Sequence, residues 1–159
     1  NNVEQAQAYG EQLRKSAHLS DLQPICAHPI ADMFLSQKQA DLADEKISLE
    51  LHLDLPAELN IANGDLLSAL DHLIDGAAAV SRQSHVSVHL FAAYDAPRLV
   101  LRVSPAFSVL STSRKNRELP TTDVLILETL AARYAGELSV QSADGAVYTV
   151  LVLHEEVKA

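Results

Sequence analysis

The segment Ile47-Ser48-Leu49-Glu50-Leu51-His52-Leu53 alternates strictly between apolar and polar side chains over seven residues. Successive side chains of a strand point to opposite faces of a sheet, so this period of two predicts a strand with one buried and one solvated face. Pro56 ends the strand. The turn Asn63-Gly64-Asp65 follows, with Asp65 as the predicted N-cap of a helix. The apolar face of that helix comprises Leu66, Ala69, Leu70, Leu73, Ile74, Ala77 and Ala78.

Two helices are predicted upstream of this strand. Pro24 and Pro29 interrupt the chain, and Pro29 is well placed in the first turn of a helix, where its missing N–H costs nothing. Apolar residues at helical spacing then predict an amphipathic helix from Ile30 to about Glu45. Residues 1–22 are rich in Gln, Glu and Ala and predict a polar helix that either packs on a partner helix outside the domain or frays.

Downstream, the same alternation predicts strands around residues 86–90 and 99–103. Residues 108–122 are predicted to form a polar loop, followed by a helix with Thr122 as its predicted cap and Gly136 at its C-terminal end. Strands at 138–140 and 147–153 flank a hairpin turn at Asp144-Gly145. This order does not alternate as in a doubly wound parallel sheet. It predicts an α+β fold, a two-layer α/β sandwich whose mixed sheet has about five strands and helices on one face.

The composition indicates an acidic globular domain. The 159 residues, 48% of them apolar, suffice for one core, and the net charge of -9 disfavours nucleic acid because no basic face can release counterions. The single cysteine excludes an internal disulfide and indicates a reducing compartment. No apolar run approaches the ~18 residues of a membrane-spanning helix. Because the sequence begins with Asn1 rather than Met, we expect it to be a piece of a longer protein.

The histidines do not predict a metal site. His85 and His89 are four residues apart in a predicted strand, which separates them by ~13 Å, too far to share one ion. For four other histidines we expect no acidic or cysteine partner that would complete a metal site: His18, His28, His52 and His154. We expect solvated or helix-capping roles for them.

Nucleophile and phosphate-binding motifs are also missing from the sequence. It contains no G-x-S-x-G, and Cys26 has only His28 nearby, which favours a buried or linker thiol. The five glycines form neither a P-loop nor a G-x-G-x-x-G motif. The basic cluster Arg114-Lys115-Arg117 lies in the predicted loop, where we expect it to be solvated.

The order of elements resembles that of the ATPase (catalytic) domain of sensor histidine kinases, the Bergerat fold. Three stretches are similar to the citrate and C4-dicarboxylate sensor kinases: HPIADMFLSQK with ADEKISL, LLSALDHLIDGAAAV, and AARYAGELSVQS. They match a Pro-led helix ending in Lys before the first strand, the N-box helix, and the last helix with its following strand. The resemblance implies an ATPase-like domain at residues 23–159, with residues 1–22 as the end of a dimerisation hairpin.

The N-box of these kinases carries an Asn that binds the magnesium ion bridging the ATP phosphates, and Gly76 occupies that position here. A second family Asn, four residues earlier, corresponds to His72. Asp75 matches the acidic residue common beside the metal-binding Asn. Because Gly76 has no side-chain oxygen, the resemblance implies that magnesium loses a ligand.

The adenine and phosphate motifs differ as well. The family Asp that binds the adenine amino group corresponds to Pro105, and the Gly two residues later to Phe107. The glycine-rich lid edge corresponds to Thr121-Thr122-Asp123, where Asp123 would repel a triphosphate. Each loss removes ~1–3 kcal/mol, and three or four together would erase a micromolar affinity of about 8 kcal/mol. We therefore expect a degenerate ATP site with no cofactor.

The resemblance also implies partners. His18 does not match the phosphoacceptor context, so we expect the acceptor and the dimerisation helices to precede residue 1. The implied partners are those helices and a response regulator, in a homodimeric, cytoplasmic or membrane-anchored protein whose fragment makes no direct membrane contact. Two alternatives are open: a working kinase domain with atypical motifs, which would bind ATP and magnesium, and a phosphotransfer adaptor with a kinase-like fold.

Overall fold

The computed structural model describes Gln5 and residues 24–108 and 121–156. Apart from Gln5, the predicted helix over residues 1–22 lies outside these ranges, as does most of the predicted polar loop. The described elements are α1 (Pro29–Asp44), β1 (Leu49–Leu53), α2 (Asn63–Ser84), β2 (Val88–Asp95), β3 (Arg98–Ser104), α3 (Thr122–Arg133), β4 (Glu137–Ala143) and β5 (Ala146–His154). None of the described helices is long and apolar enough to cross a membrane.

The five strands form one mixed sheet in the order β1-β2-β3-β5-β4. β1 runs parallel to β2, with α2 as the crossover between them, and the other neighbouring pairs are antiparallel. Leu49 lies opposite Val88 at one edge, and Leu99 lies opposite Leu153 nearer the other. The predicted mixed sheet of about five strands is confirmed.

The core lies between one face of this sheet and the helices. It joins alternate strand residues such as Leu90 and Leu101 to the apolar side of α2, where Leu66, Leu70 and Leu73 are fully buried. The predicted two-layer sandwich is therefore confirmed. The other set of alternate residues forms the outer face of the sheet, and it includes Glu50, His52, His89, Phe91, Arg102 and Tyr148.

Helix α1 begins as the sequence predicts, with Pro29 at its first position. His28 caps it, since its Nδ1 accepts a hydrogen bond from the Ala31 N–H at 3.2 Å. His28 is buried, and burial lowers the pKa of its imidazole. A neutral ring is the form that can accept this bond, so His28 is a capping histidine.

Three predicted boundaries were wrong. Asp65 is not the N-cap of α2. The helix begins at Asn63 with Ala62 as its N-cap, and Asp65 lies inside the first turn, where its carboxylate binds Tyr134 and Arg133. Helix α3 is capped by Thr121 rather than Thr122, since the Thr121 hydroxyl accepts from the N–H three residues on, at 3.3 Å. Strand β2 begins at Val88, and Val86 precedes it with 47% of its surface exposed.

Two turns depend on special backbone geometry. In the predicted hairpin turn, Asp144 and Gly145 both have positive φ angles, 51° and 79°, as a two-residue type I′ turn requires. Helix α3 ends at Arg133, and the left-handed residue after it is Ala135, with φ 50°. Gly136 is needed for another reason: a Cβ there would lie 1.7 Å from the Val152 carbonyl oxygen.

Replacing Gly136 by alanine therefore forces two backbone segments apart. We expect Gly136→Ala to lower the free energy of unfolding by about 3 kcal/mol or more, beyond the usual range for one substitution. Urea denaturation followed by circular dichroism measures this change. Gly64→Ala is the matched control, because a Cβ at Gly64 meets nothing within 4 Å. A Gly136→Ala protein as stable as the Gly64→Ala protein would contradict the close approach.

Candidate functional site

The candidate site lies where α2, the chain after β3 and the start of α3 meet. A cavity of about 240 Å³ opens there. Four residues singled out by the sequence line it: Gly76, Phe107, Thr121 and Asp123. The rest of its described lining is Ala79, Val80, Gln83 and Ser108.

The Phe107 ring lies directly against the backbone of Gly76. A Cβ built on Gly76 would come within 2.5–2.6 Å of three ring carbons, closer than side chains tolerate. Gly76 is buried inside α2, and Phe107 is only 9% exposed. The contact therefore requires glycine at position 76, and the ring covers the part of α2 where a longer side chain would otherwise stand.

Thr149 of β5 holds the main chain of Phe107. The Phe107 N–H donates to the Thr149 hydroxyl at 2.9 Å, and that hydroxyl donates back to the Phe107 carbonyl at 3.0 Å. Thr149 is fully buried, so both bonds lie away from water. Sequence reasoning missed this residue. Its signal is a hydroxyl in the core-facing row of β5, between the apolar residues Val147 and Leu151.

A second contact joins α2 to α3. His72 Nδ1 lies 2.7 Å from Asp123 Oδ1, and their side chains are 20% and 28% exposed. Asp123 is in the first turn of α3, where the helix dipole favours a carboxylate. His72 and Asp123, both singled out in the sequence, are thus bonded to each other.

Asp75 makes a different contact. Lys38 of α1 bonds to Asp71 at 2.7 Å and to Asp75 at 2.6 Å, so the Asp75 carboxylate is engaged by α1. The Lys38 side chain is only 17% exposed. Burial opposes its charge, but the hydrogen bonds and charges of the two carboxylates outweigh this and raise the pKa of the Lys38 ammonium. Lys38 therefore stays charged and holds both aspartates.

The start of α2 is tied to the end of α3 by Asp65. Its carboxylate accepts a hydrogen bond from the Tyr134 hydroxyl and pairs with the Arg133 guanidinium at 2.6 Å. The Tyr134 bond, helped by Arg133, lowers the pKa of Asp65, while burial and the same carboxylate raise the pKa of Tyr134. The two helices that border the cavity are thus joined at two points along α2, Asp65 and His72.

Of the seven predicted positions, His72, Asp75 and Pro105 are not among the described residues that line the cavity. Pro105 is half-buried and directly follows β3, two residues before Phe107.

Cys26 is buried, and burial raises the pKa of its thiol. It therefore remains protonated near neutral pH, which does not suit a nucleophile.

The outer face of the sheet corrects the expectation that His52 has no acidic companion. Glu50, His52 and His89 are the one group within the described ranges with three potential metal-ligand atoms within 4.8 Å of one another. Sequence reasoning considered spacing along one strand only. The pairing of β1 with β2 brings the three side chains together across two strands.

No protein-family model and no curated protein matches this sequence. Solved structures do match the fold. The nucleotide-free catalytic domain of histidine kinase ThkA superposes with a TM-score of 0.58 at 8% identity, over 79% of this chain and 90% of that one. The Acinetobacter baumannii histidine kinase AdeS gives a TM-score of 0.56 at 11% identity, over 80% and 64% of the two chains.

A histidine kinase from Burkholderia phymatum gives a TM-score of 0.57 at 20% identity, over 96% of this chain and 80% of that one. At such identities the likeness is one of fold. The element order predicted from the sequence and these superpositions agree, and the chain has the fold of histidine kinase catalytic domains.

The contact between Gly76 and Phe107 predicts a change of sign in a double-mutant cycle. Alanine in a helix interior is favoured over glycine by about 1 kcal/mol, but here its Cβ would strike the ring. We expect Gly76→Ala to destabilise the wild-type protein by about 1–2 kcal/mol through overpacking. In a Phe107→Ala background, the same substitution should be neutral or stabilising.

Urea denaturation of the four proteins measures this coupling, with Ala79→Gly as the control for helix propensity, since Ala79 is an exposed residue of the same helix. An equal effect of Gly76→Ala in both backgrounds would show that the ring does not lie on Gly76.

Proposed function

We propose that this chain is the ATPase-like domain of a two-component sensor histidine kinase whose ATP site is degenerate. It acts in signal transduction through contacts with a helical hairpin and a response regulator rather than by phosphoryl transfer. The fold of the kinase catalytic domains supports the first part. The observation that carries the second is the Phe107 ring lying against Gly76, where the family has the magnesium-binding Asn.

The residues at the magnesium position do not fit the ion. Mg²⁺ binds oxygen ligands in a near-ideal octahedron, and Gly76 supplies no side-chain oxygen. The neighbouring Asp75 carboxylate is held by Lys38 at 2.6 Å. A metal at this point would have to compete with a partly buried ion pair for its remaining protein ligand.

The cavity lined by the described residues is small for a nucleotide. The cavity of about 240 Å³ is smaller than the ~300–1,000 Å³ of ordinary small-molecule sites, and Phe107 is one of its walls. Asp123 presents a carboxylate in place of a lid-edge glycine, and only His72 faces it within hydrogen-bond distance among the described side chains. Repulsion of the triphosphate by Asp123 and the space taken by Phe107 would both weaken nucleotide binding.

The sequence also suggests a kinase subfamily and a set of partners. The resembling stretches favour the citrate and C4-dicarboxylate sensor kinases. In that setting, the partners are the dimerisation helices of the same protein and a response regulator, in a homodimer located in the cytoplasm or anchored to the membrane. The domain would pack on the hairpin and help to present it to the regulator.

The test is a nucleotide titration followed by thermal unfolding. Because we propose that the site does not bind ATP, we expect no change in melting temperature up to millimolar Mg-ATP. The assay would detect binding, since a ligand at 100 times its Kd stabilises the fold by about 2.7 kcal/mol. An ATP-binding histidine kinase catalytic domain, treated identically, verifies the assay. The triple variant Gly76→Asn, Pro105→Asp, Phe107→Gly restores the family residues and should gain a shift if these three substitutions abolish binding.

Protection of the wild-type chain by millimolar Mg-ATP would contradict the degenerate site and favour the working kinase domain. A flat response leaves the phosphotransfer adaptor as the alternative to a sensor. Finding the upstream coding sequence of the full protein separates those two, since an adaptor would lack a sensor and a membrane helix.

A further inference from the structure

The side chains of Glu50, His52 and His89 meet on the outer face of the sheet. Glu50 and His89 are direct partners in the parallel pairing of β1 with β2, and His52 is the next outward residue on β1. Glu50 Oε2 lies 2.9 Å from His89 Nδ1. The three potential ligand atoms all lie within 4.8 Å of one another. Two imidazoles and a carboxylate are thus gathered by strand pairing alone.

Neighbouring rings position these histidines. The His52 ring stacks on Phe91, with centroids 4.6 Å apart, and lies almost parallel to the His89 ring at 5.9 Å. Phe91 is in turn covered by the Arg102 guanidinium at 5.1 Å and meets the edge of Tyr148. The aromatic contacts restrict the imidazole of His52, so less rotamer freedom is lost when it binds a ligand.

We propose that Glu50, His52 and His89 form a binding site for a divalent transition-metal ion, with Zn²⁺ as the ion that the ligand set suits best. Imidazole nitrogen and carboxylate oxygen are ordinary zinc ligands, and two histidines with one glutamate leave a coordination position open for water or a partner's side chain. Oxygen-only ions such as Mg²⁺ do not favour two imidazoles.

The geometry requires only side-chain movement. Donor atoms around a tetrahedral zinc ion lie about 3.3 Å apart, given bonds of about 2.0–2.1 Å, and the three here are within 4.8 Å. Glu50 and His89 are 51% and 34% exposed, so their side chains are free to close on an ion without moving the strands. The surface ion pair between them is replaced by two bonds to the metal, and such pairs contribute little by themselves.

The site lies apart from the Gly76 cavity. Glu50, His52 and His89 alternate along their strands with the inward-facing residues Leu49, Leu51, Val88 and Leu90. They therefore occupy the sheet face opposite the one that α2 covers. Among the described strands, β1 lies at the edge of the sheet and pairs only with β2, so a bound ion would tie this edge to the sheet. The inference does not rest on the proposed function.

Isothermal titration of the purified chain with ZnCl₂, without a histidine tag and in a non-chelating buffer, tests the site. We expect one zinc ion per chain. His52→Gln, His89→Gln and Glu50→Gln should each weaken binding at least tenfold, since losing even a supporting partner of a ligand costs about 10–100-fold. The matched control is His85→Asn, which removes an exposed histidine outside the cluster at a left-handed position that Asn accepts.

Titration with Co²⁺ gives a second readout, because visible d–d absorption should appear with the wild-type chain and be lost in the three cluster variants. Melting curves of the metal-free variants verify that each is folded. Absence of zinc binding at millimolar concentration would overturn the proposal. So would equal zinc affinity in the wild type and the cluster variants, since the ion would then be bound elsewhere.

Discussion

The contact of the Phe107 ring with the backbone of Gly76 is the constraint on which the candidate site depends. Glycine at position 76 lets the ring approach α2 closely, and Thr149 fixes the main chain of Phe107 with two buried hydrogen bonds. With Phe107 in this place, a side chain at position 76 has no room. The glycine and the ring fit each other closely, and both line the cavity.

Charge pairing completes the same arrangement. His72 bonds to Asp123 and Lys38 bonds to Asp75, so these four side chains are bonded within the protein. Here they join α2 to α3 and α1 to α2, and they contribute to the packing of the helices. These contacts support the proposal that the domain acts through protein contacts rather than through a bound nucleotide.

The hydrophobic periodicity of the sequence predicted the fold, but it could not predict which side chains contact each other. The strand predicted from the alternation at residues 47–53 and the apolar face of α2 follow from neighbouring residues in the sequence, and both are present. The cap of α2 was mispredicted because Asp65 has tertiary partners, Tyr134 and Arg133, that no local rule contains. The cluster of Glu50, His52 and His89 depends on the register between two strands that are separated by a helix. Family resemblance pointed to Gly76 and Phe107, but not to their mutual contact.

Nuclear Overhauser spectroscopy of the chain, recorded with and without excess Mg-ATP, tests the central claim most directly. We predict strong cross-peaks between the Phe107 ring protons and the Gly76 α-protons, unchanged when the nucleotide is added. Loss of these cross-peaks on addition, with new contacts between the adenine protons and α2, would show that Phe107 is a movable lid over a working site and would contradict the account.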